Sequence, residues 1–508
     1  RTVVFGLADG TDGKTTVTYE AFPGETPVFS AGVPLDGWRR TDSPPAGLPD
    51  KSLPHLWQVR VPRECMPFYT LYDSGGRLPR ARTDGFRPTL VGKDRRAAFN
   101  KIPFPAGALK AWDRLQDVEV VLYPRIQFSM NILGLESVDG DAGIATTTIP
   151  ATAPITHPSS RLFSGADTAS AWVENVFEGL DSPGEWVLDT TTATLYLRPR
   201  NGRPDASVLV PVLRELIRVE GDISPEAPSD RPVQGLVFRG LTFRHGDRDL
   251  WTESSTGLQH DWELYDQANA LLRFRGASDC VVENCRFAVS GGTGIRLDLH
   301  AQRNRLIGNR LEHLGGCGIL LCGYGPGTKD VNRHNEVLNN HIHHCGELYW
   351  HAPGIMVWQS GRNRVAHNLI HHLPYNGLVV SGVRPHVFRW RARGVTRREY
   401  MGSIRWNEVG DAQSWDDLVP FLHAVGNRIE YNEIFRVMER MGDGNGIYIS
   451  GTGEGNVIRA NYVHHLLGPG PQSAIRTDGW QRGTTVADNL VYRCVEAGII
   501  RKHNNDLE

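Results

Sequence analysis

Two acidic residues, Asp443 and Asp478, stand beside short strands that have the make-up of a working face. Asp443 sits in Gly442-Asp443-Gly444-Asn445-Gly446, immediately ahead of Ile447-Tyr448-Ile449, and Asp478 closes Ala474-Ile475-Arg476-Thr477-Asp478-Gly479. Successive side chains of a strand point to opposite sides. With Ile475 and Thr477 turned inward, Arg476 and Asp478 turn outward. The same phase puts Tyr448 and Ser450, Met356 and Trp358, and Val379 and Ser381 on that outer face. Aromatic planes for ring C–H faces and polar groups for hydroxyls are what a sugar asks of a surface. Hydrolysis of a glycosidic bond asks for one protonated acid and one ionised base or nucleophile. Arg476 would hold a neighbouring carboxylate ionised, while a less solvated site keeps the other protonated. The expected substrate contacts are Tyr448, Arg476, Trp358, Gln359, His351, Trp350 and Glu347, the last three on a loop leading into the Ile355 strand.

Asp-Gly is also ordinary turn chemistry, so the joint placement carries the expectation. The offsets add a condition. Asp443 lies four residues before Ile447 and Asp478 three after Ile475; on one straight strand those seven positions span about 23 Å, too far for either glycosidase mechanism. A catalytic pair therefore requires a sharp bend at Gly444–Gly446, with Glu347 or Glu454 as the substitute partner if the chain does not bend.

What could hold such residues on neighbouring strands is a repeat. Seven segments share a branched apolar residue, two positions, Asn or Cys, one position, then an apolar residue. They centre on Cys285, Asn309, Asn340, Asn368, Asn432, Asn461 and Asn489, at intervals of 24, 31, 28, 64, 29 and 28. Between them recurs a second strand, marked by Gly294-Ile295, Gly318-Ile319, Gly354-Ile355, Gly377-Leu378, Gly446-Ile447, Ala474-Ile475 and Gly498-Ile499. Two short strands per unit of this length make a β-solenoid coil, in which equivalent residues stack into columns. The Asn column belongs at a turn, where its amide satisfies backbone groups that a tight bend leaves unpaired. The predicted fold is all-β, a right-handed parallel β-helix with an inserted β-sandwich-like domain.

The 64-residue interval holds an insertion, 384–422, which leaves the Leu378–Ser381 strand and carries Trp390, Trp406 and Trp415; its root at the groove edge makes it a candidate for substrate contact. The pairs His343-His344, His371-His372 and His464-His465 follow the Asn turn on their own coils, which predicts a stacked ladder in preference to a metal cluster. The seven cysteines lack metal spacing and read as small core residues. No metal and no cofactor is expected. Ahead of the repeat, Glu185–Asp189 and Thr194–Arg198 alternate as antiparallel strands between Pro- and Gly-rich turns.

Lys and Arg number 55 against 57 Asp and Glu, so no strong field marks nucleic acid or an anionic membrane as partner. No apolar run is long enough to span a bilayer. The chain opens at Arg1 and stops within a repeat, which reads as an excised piece of a longer protein.

The chain resembles the parallel β-helix enzymes of glycoside hydrolase family 141, known for α-L-fucosidase and xylanase activity. The matching stretches are Thr18–Glu25 (Thr-Tyr-Glu-Ala-Phe-Pro-Gly-Glu), Pro183-Gly184-Glu185-Trp186 with Leu195-Tyr196, Gly442-Asp443-Gly444 to Tyr448, and Ile475 to Asp478. The resemblance implies a catalytic Asp on each of two successive coils, at Asp443 and Asp478. It implies too that 1–38 begins the β-helix, 39–225 is the inserted sandwich and 226–508 is the catalytic β-helix. A carbohydrate substrate from a plant or algal polysaccharide and a secreted or periplasmic bacterial setting follow from the same likeness. Two rivals remain: a polysaccharide lyase, with Tyr448, Arg476, Arg501 and Lys502 available for β-elimination, and a solenoid that binds sugar without cleaving it.

Overall fold

The computed structural model describes residues 1–89, 99–124, 126–155, 169–226, 229–252, 266–383, 404–410, 414–468, 470 and 472–502. The chain forms two compact units, one of Arg1–Ser30, Leu213–Gly246 and Leu258–Glu508, the other of Ala31–Val212 and Asp247–Gly257. The first is a right-handed parallel β-helix, as the repeat predicts.

Each full coil gives one strand to each of three parallel sheets. The long sheet passes from Val3–Phe5 through Ile217–Glu220, Ala270–Ser278, Thr293–Gln302, Ile319–Cys322, Ile355–Trp358, Leu378–Ser381, Gly444–Thr452 and Gln472–Gln481 to Ala497–Arg501. A second sheet runs from Val17–Glu20 to Thr485–Ala487, and a third from Val28–Ser30 to Leu490–Cys494. Two coils escape the repeat pattern because their turns carry neither Asn nor Cys at the central position. In one of them Leu241 precedes the strand Thr242–Arg244 at the place that Cys285 and Asn309 take before theirs.

The expected column is present and continuous. The backbone N–H of Asn309 donates to Oδ1 of Asn340 at 3.0 Å. The same bond links Asn340 to Asn368, Asn368 to Asn432, Asn432 to Asn461 and Asn461 to Asn489 at 2.9 to 3.1 Å. From Asn309 to Asn461 each Nδ2 donates to the next Oδ1 and to a backbone carbonyl, so Asn340 reaches Leu306 at 3.0 Å. Buried donors are thereby satisfied at a bend where no strand could satisfy them. A second ladder, which the repeat pattern overlooks, runs Asn304, Asn335, Asn363, Asn427 and Asn456 at the preceding turn, with N–H to Oδ1 distances of 2.9 to 3.1 Å. Its members stand five residues ahead of the first ladder.

The glycine that opens each long-sheet strand has a different cause. A Cβ on Gly294, Gly318, Gly354, Gly377 or Gly446 would come within 2.8 Å of a carbonyl oxygen on the next coil. Close approach of backbones, more than conformational freedom, selects glycine there.

The second unit is built of antiparallel sheets. The predicted strands around Trp186 and Leu195 form the hairpin Trp186–Asp189 with Thr194–Leu197, extended by Trp57–Arg60 and Arg39–Arg40. A five-stranded sheet has Glu119–Leu122 between Ala171–Glu174 and Asn131–Asp139. Separate clusters around Trp186 and around Leu133 form its cores.

Candidate functional site

Register brings the two aspartates to adjacent coils. Gly444–Thr452 pairs with Gln472–Gln481 so that Tyr448 stands beside Arg476 and Ser450 beside Asp478. Arg476 joins the carboxylates: Nη1 donates to Asp443 Oδ1 at 2.5 Å and Nη2 to Asp478 Oδ2 at 2.6 Å. Since the two nitrogens of one guanidinium lie about 2.3 Å apart, the bonded oxygens are separated by about 7 Å at most. Burial disfavours the Arg476 charge, but Asp443 and Asp478 outweigh it and hold its pKa above the ordinary arginine value.

The surroundings of the two acids differ. Asp478 accepts from the Gly479 N–H at 2.7 Å, lies 3.5 Å from the Tyr448 hydroxyl and 3.7 Å from Lys502 Nζ, and its side chain is 11% exposed. Asp443 is 32% exposed. The chain does fold Asp443 back towards the sheet, but not by glycine torsion. Asp443 itself takes the left-handed conformation, φ 55, while Gly444 and Gly446 are absent from the positive-φ residues. Gly444 is required for space, since a Cβ there would lie 2.5 Å from each of Asn376, Met438 and Tyr375. Tyr375 and Asn376, which no sequence motif marks, fix this turn: the Tyr375 hydroxyl donates to the Asp443 carbonyl at 3.2 Å, and Asn376 Oδ1 accepts from the Asn445 N–H at 2.6 Å.

The remaining expected contacts disperse. Tyr448 lies beside the pair, with the Arg476 guanidinium 5.7 Å from its ring centroid. Trp358 and His351 are wholly buried, and Gln359 spends its Oε1 on the His423 N–H at 2.7 Å. The column Met356, Val379, Trp358 and Ser381, expected to line an open face, is buried as well. Alternation sorts the two sides of a sheet but not what lies over either. Glu347 meets His313 of the strand Arg310–Leu314 at 2.9 Å, on the third sheet's side. Trp350 packs beneath the Arg440 guanidinium at 4.8 Å.

Of the 384–422 insertion, Trp390 lies outside the described residues. Trp415 packs 6.2 Å from Trp480, and Asp416 accepts from Arg482 at 2.9 Å, so this part of the insertion docks just beyond Asp478. Trp406 opens a short helix, Trp406–Val409, whose Glu408 accepts from the Thr328 hydroxyl at 2.7 Å.

The histidines form the expected ladder. The rings of His343 and His371 stack at 5.0 Å and 3°, His371 on Phe435 at 4.8 Å, and Phe435 on His464 at 4.9 Å. The second member of each pair sits at a strand end with positive φ, His344 at 53, His372 at 53 and His465 at 53, a conformation in which histidine is enriched. Burial lowers the pKa of His343 to about 4 and of His371 to about 3. Five cysteines, 280, 285, 317, 322 and 345, are core residues.

A further charged cluster lies outside the residues that the sequence motifs single out. Arg296 and Asp298 hold the same strand positions, five coils away, as Arg476 and Asp478. Asp298 accepts from Arg296 Nε at 3.0 Å and from Arg273 Nη2 at 2.8 Å, and Arg273 also reaches Asp266 at 2.6 Å. Arg296 and Asp298 are 0% exposed. The Arg-x-Asp spacing shared by 296–298 and 476–478 is the signal that could have found it.

Comparison with known proteins agrees with this architecture. Residues 235–387 match the family model described as a right handed beta helix region. A solved glycoside hydrolase superposes over 99% of this chain and 87% of its own with a TM-score of 0.64 at 18% identity, a likeness of fold. A complex of XylC with xylose aligns over 94% of this chain and 61% of its own, TM-score 0.48, at 11% identity. A lacto-N-biosidase from Eubacterium ramulus aligns over 58% and 49%, TM-score 0.29, at 11% identity. No curated protein matches the sequence.

Proposed function

We propose that this β-helix is a glycoside hydrolase that cleaves a plant or algal glycan with Asp443 and Asp478. The observation that carries the reading is one guanidinium bonded to two carboxylates on adjacent coils, 2.5 and 2.6 Å away, with one carboxylate a third exposed. A separation of about 7 Å or less suits two acids flanking one glycosidic bond. Asp478, surrounded by donors, is assigned as the ionised nucleophile or base. Asp443, the more open acid, is assigned as the second acid of the pair. Tyr448 and the insertion's Trp415 are assigned to substrate contact. Membership of family 141, with its α-L-fucosidase and xylanase activities, is the specific form of this proposal, and a secreted or periplasmic location goes with it.

A panel of plant and algal glycans tests the reading. Sugars released by the wild type and not by Asp443→Asn or Asp478→Asn support it; near-normal turnover in either variant removes that residue from the chemistry. The proximity of Tyr448 and Lys502 to Asp478 favours β-elimination as the second reading, in which the cation neutralises a uronate and the Tyr448 phenolate, its own proton passed to Asp478, takes the proton α to the carboxylate as the β-linked glycosidic oxygen leaves with its electron pair. New ultraviolet absorbance from unsaturated ends on a uronate polymer would establish that instead.

A further inference from the structure

The second unit contains a cavity of about 490 Å³, within the range of small-molecule sites. Its lining includes Tyr69, Arg80, Gln116, Glu119, Thr148 and Thr190, and it owes nothing to the two aspartates of the β-helix. Most of its polar groups are already engaged. Asp117 accepts from the Thr190 hydroxyl at 2.5 Å and its N–H at 3.0 Å, and Asn175 is spent on Asp117 and Leu188 backbone at 2.8 to 3.0 Å.

Arg80 is the exception. Its side chain is 8% exposed, Nη1 is bonded to Glu119, and Nε is buried with no hydrogen-bond acceptor among the described residues. A buried guanidinium N–H without an acceptor is costly unless something arrives to accept from it. The local charge points the same way. Glu119 is shared between Arg80 and Arg248, one anion between two cations. Burial opposes the Glu119 charge, but the two arginines outweigh it and hold its pKa below the ordinary range. Two other carboxylates stand near: Asp117, in the lining, pairs with Arg114 at 3.5 Å, and Asp247 accepts from the Tyr69 N–H at 3.1 Å, the Thr70 hydroxyl at 2.8 Å and the Arg248 N–H at 2.9 Å. Burial pushes the Asp247 pKa up, weakening its claim as a counter-charge. Arg63 adds a further cation to the lining.

Tyr69 forms the apolar wall, with the Arg248 and Arg80 guanidinium carbons 4.6 and 5.8 Å from its ring centroid. Gln116 and Thr148 line the same cavity, with Gln116 Nε2 donating to the Thr191 hydroxyl at 3.1 Å and the Thr148 hydroxyl to the Gly134 carbonyl at 3.4 Å. An aromatic wall, polar groups and a buried guanidinium with one N–H left without an acceptor among the described residues describe a site for a sugar that carries a carboxylate. We infer that the inserted unit binds a uronic acid residue of an acidic glycan, its carboxylate accepting from Arg80 Nε.

The test is binding, which is measured independently of hydrolysis and of the two aspartates. Wild-type protein is titrated with galacturonate and glucuronate monomers and short oligomers and with their neutral hexose counterparts, followed by calorimetry or saturation-transfer NMR. The inference expects uronate binding at least tenfold tighter than the neutral sugar, weakened tenfold or more in Arg80→Gln and by added salt. Because Arg80 also holds Glu119, Thr148→Trp is tested in parallel; it fills the cavity from its exposed rim and should abolish binding in a folded protein. Equal binding of neutral sugars, no binding at millimolar ligand, or undiminished affinity in the folded Thr148→Trp variant would each overturn it.

Discussion

Asp298 and Asp478 occupy one column of the long sheet, connected through Cys322, Trp358, Ser381 and Ser450, and each follows an arginine by two residues. The backbone treats them alike, yet their electrostatic states differ. Asp298 is saturated: besides Arg273 and Arg296 it accepts the N–H of Asp266 at 3.1 Å and of Gln267 at 3.3 Å. Nothing of it meets solvent. At the other end, Arg476 bridges two carboxylates, Lys502 stands 3.7 Å from Asp478, and Asp443 remains a third exposed. The same strand geometry makes a sealed ion network where nothing meets solvent and a receptive site where one carboxylate does. Exposure, more than placement, separates structure from candidate chemistry.

The largest expected effect sits at the receptive end. Asp478→Asn should lower kcat by about a thousandfold, close to what loss of a nucleophile or base removes, while the melting temperature stays within a few degrees of wild type. Rapid loss of folded protein in that variant would make the two clusters equivalent and erase the contrast. Next comes the sealed end, where Asp298→Asn leaves Arg273 and Arg296 short of a counter-charge. Breaking a buried pair costs about 3 to 5 kcal/mol, so denaturant titration should show a clear drop in stability or insoluble protein, and any folded fraction should retain its specific activity. An Asp298→Asn protein of normal stability would mean that the network contributes nothing to folding.

The smallest expected effect concerns a third kind of titratable column, the histidine ladder. Burial sets the folded pKa of His343 near 4 and of His371 near 3, below the unfolded value of about 6.5. Between those values the unfolded chain binds more protons, so stability is complete above about pH 6.5 and is lost as pH falls towards 3 to 4. His371→Phe, which copies Phe435 in the same stack, should lessen that acid sensitivity by about a degree or two in melting temperature at pH 5. An unchanged pH profile would show that the stacked rings do not govern it.

Legibility in the sequence follows how local each cause is. The Asn ladder is readable because an amide at a tight turn acts within a few residues of its own coil, and the pattern repeats. Its sister ladder carries the same amide signal at Asn304, Asn335, Asn363, Asn427 and Asn456, each two residues before the apolar residue that opens the first motif, and is legible on the same terms. The Arg476 bridge is partly readable from the column phase. The burial of Trp358, His351 and Gln359 is not, since it depends on atoms laid over the sheet from distant chain, such as His423 against Gln359. The turn at Asp443, expected of flexible glycines, is instead set by Tyr375 and Asn376, one coil earlier.

The ladder also bears on how such a scaffold changes. Asn368 and Asn432 are 64 residues apart in the chain and bond at 3.0 and 2.9 Å, the distances found where the separation is 28. The rung does not register how much polypeptide leaves and returns between its two ends. A coil junction is therefore a socket: a loop lengthened there adds a closure entropy that grows only with the logarithm of its length and leaves the hydrogen-bonded column unaltered. New surface beside Asp478 can be written, erased or enlarged by insertion at a single joint, without the long sheet having to refold around it.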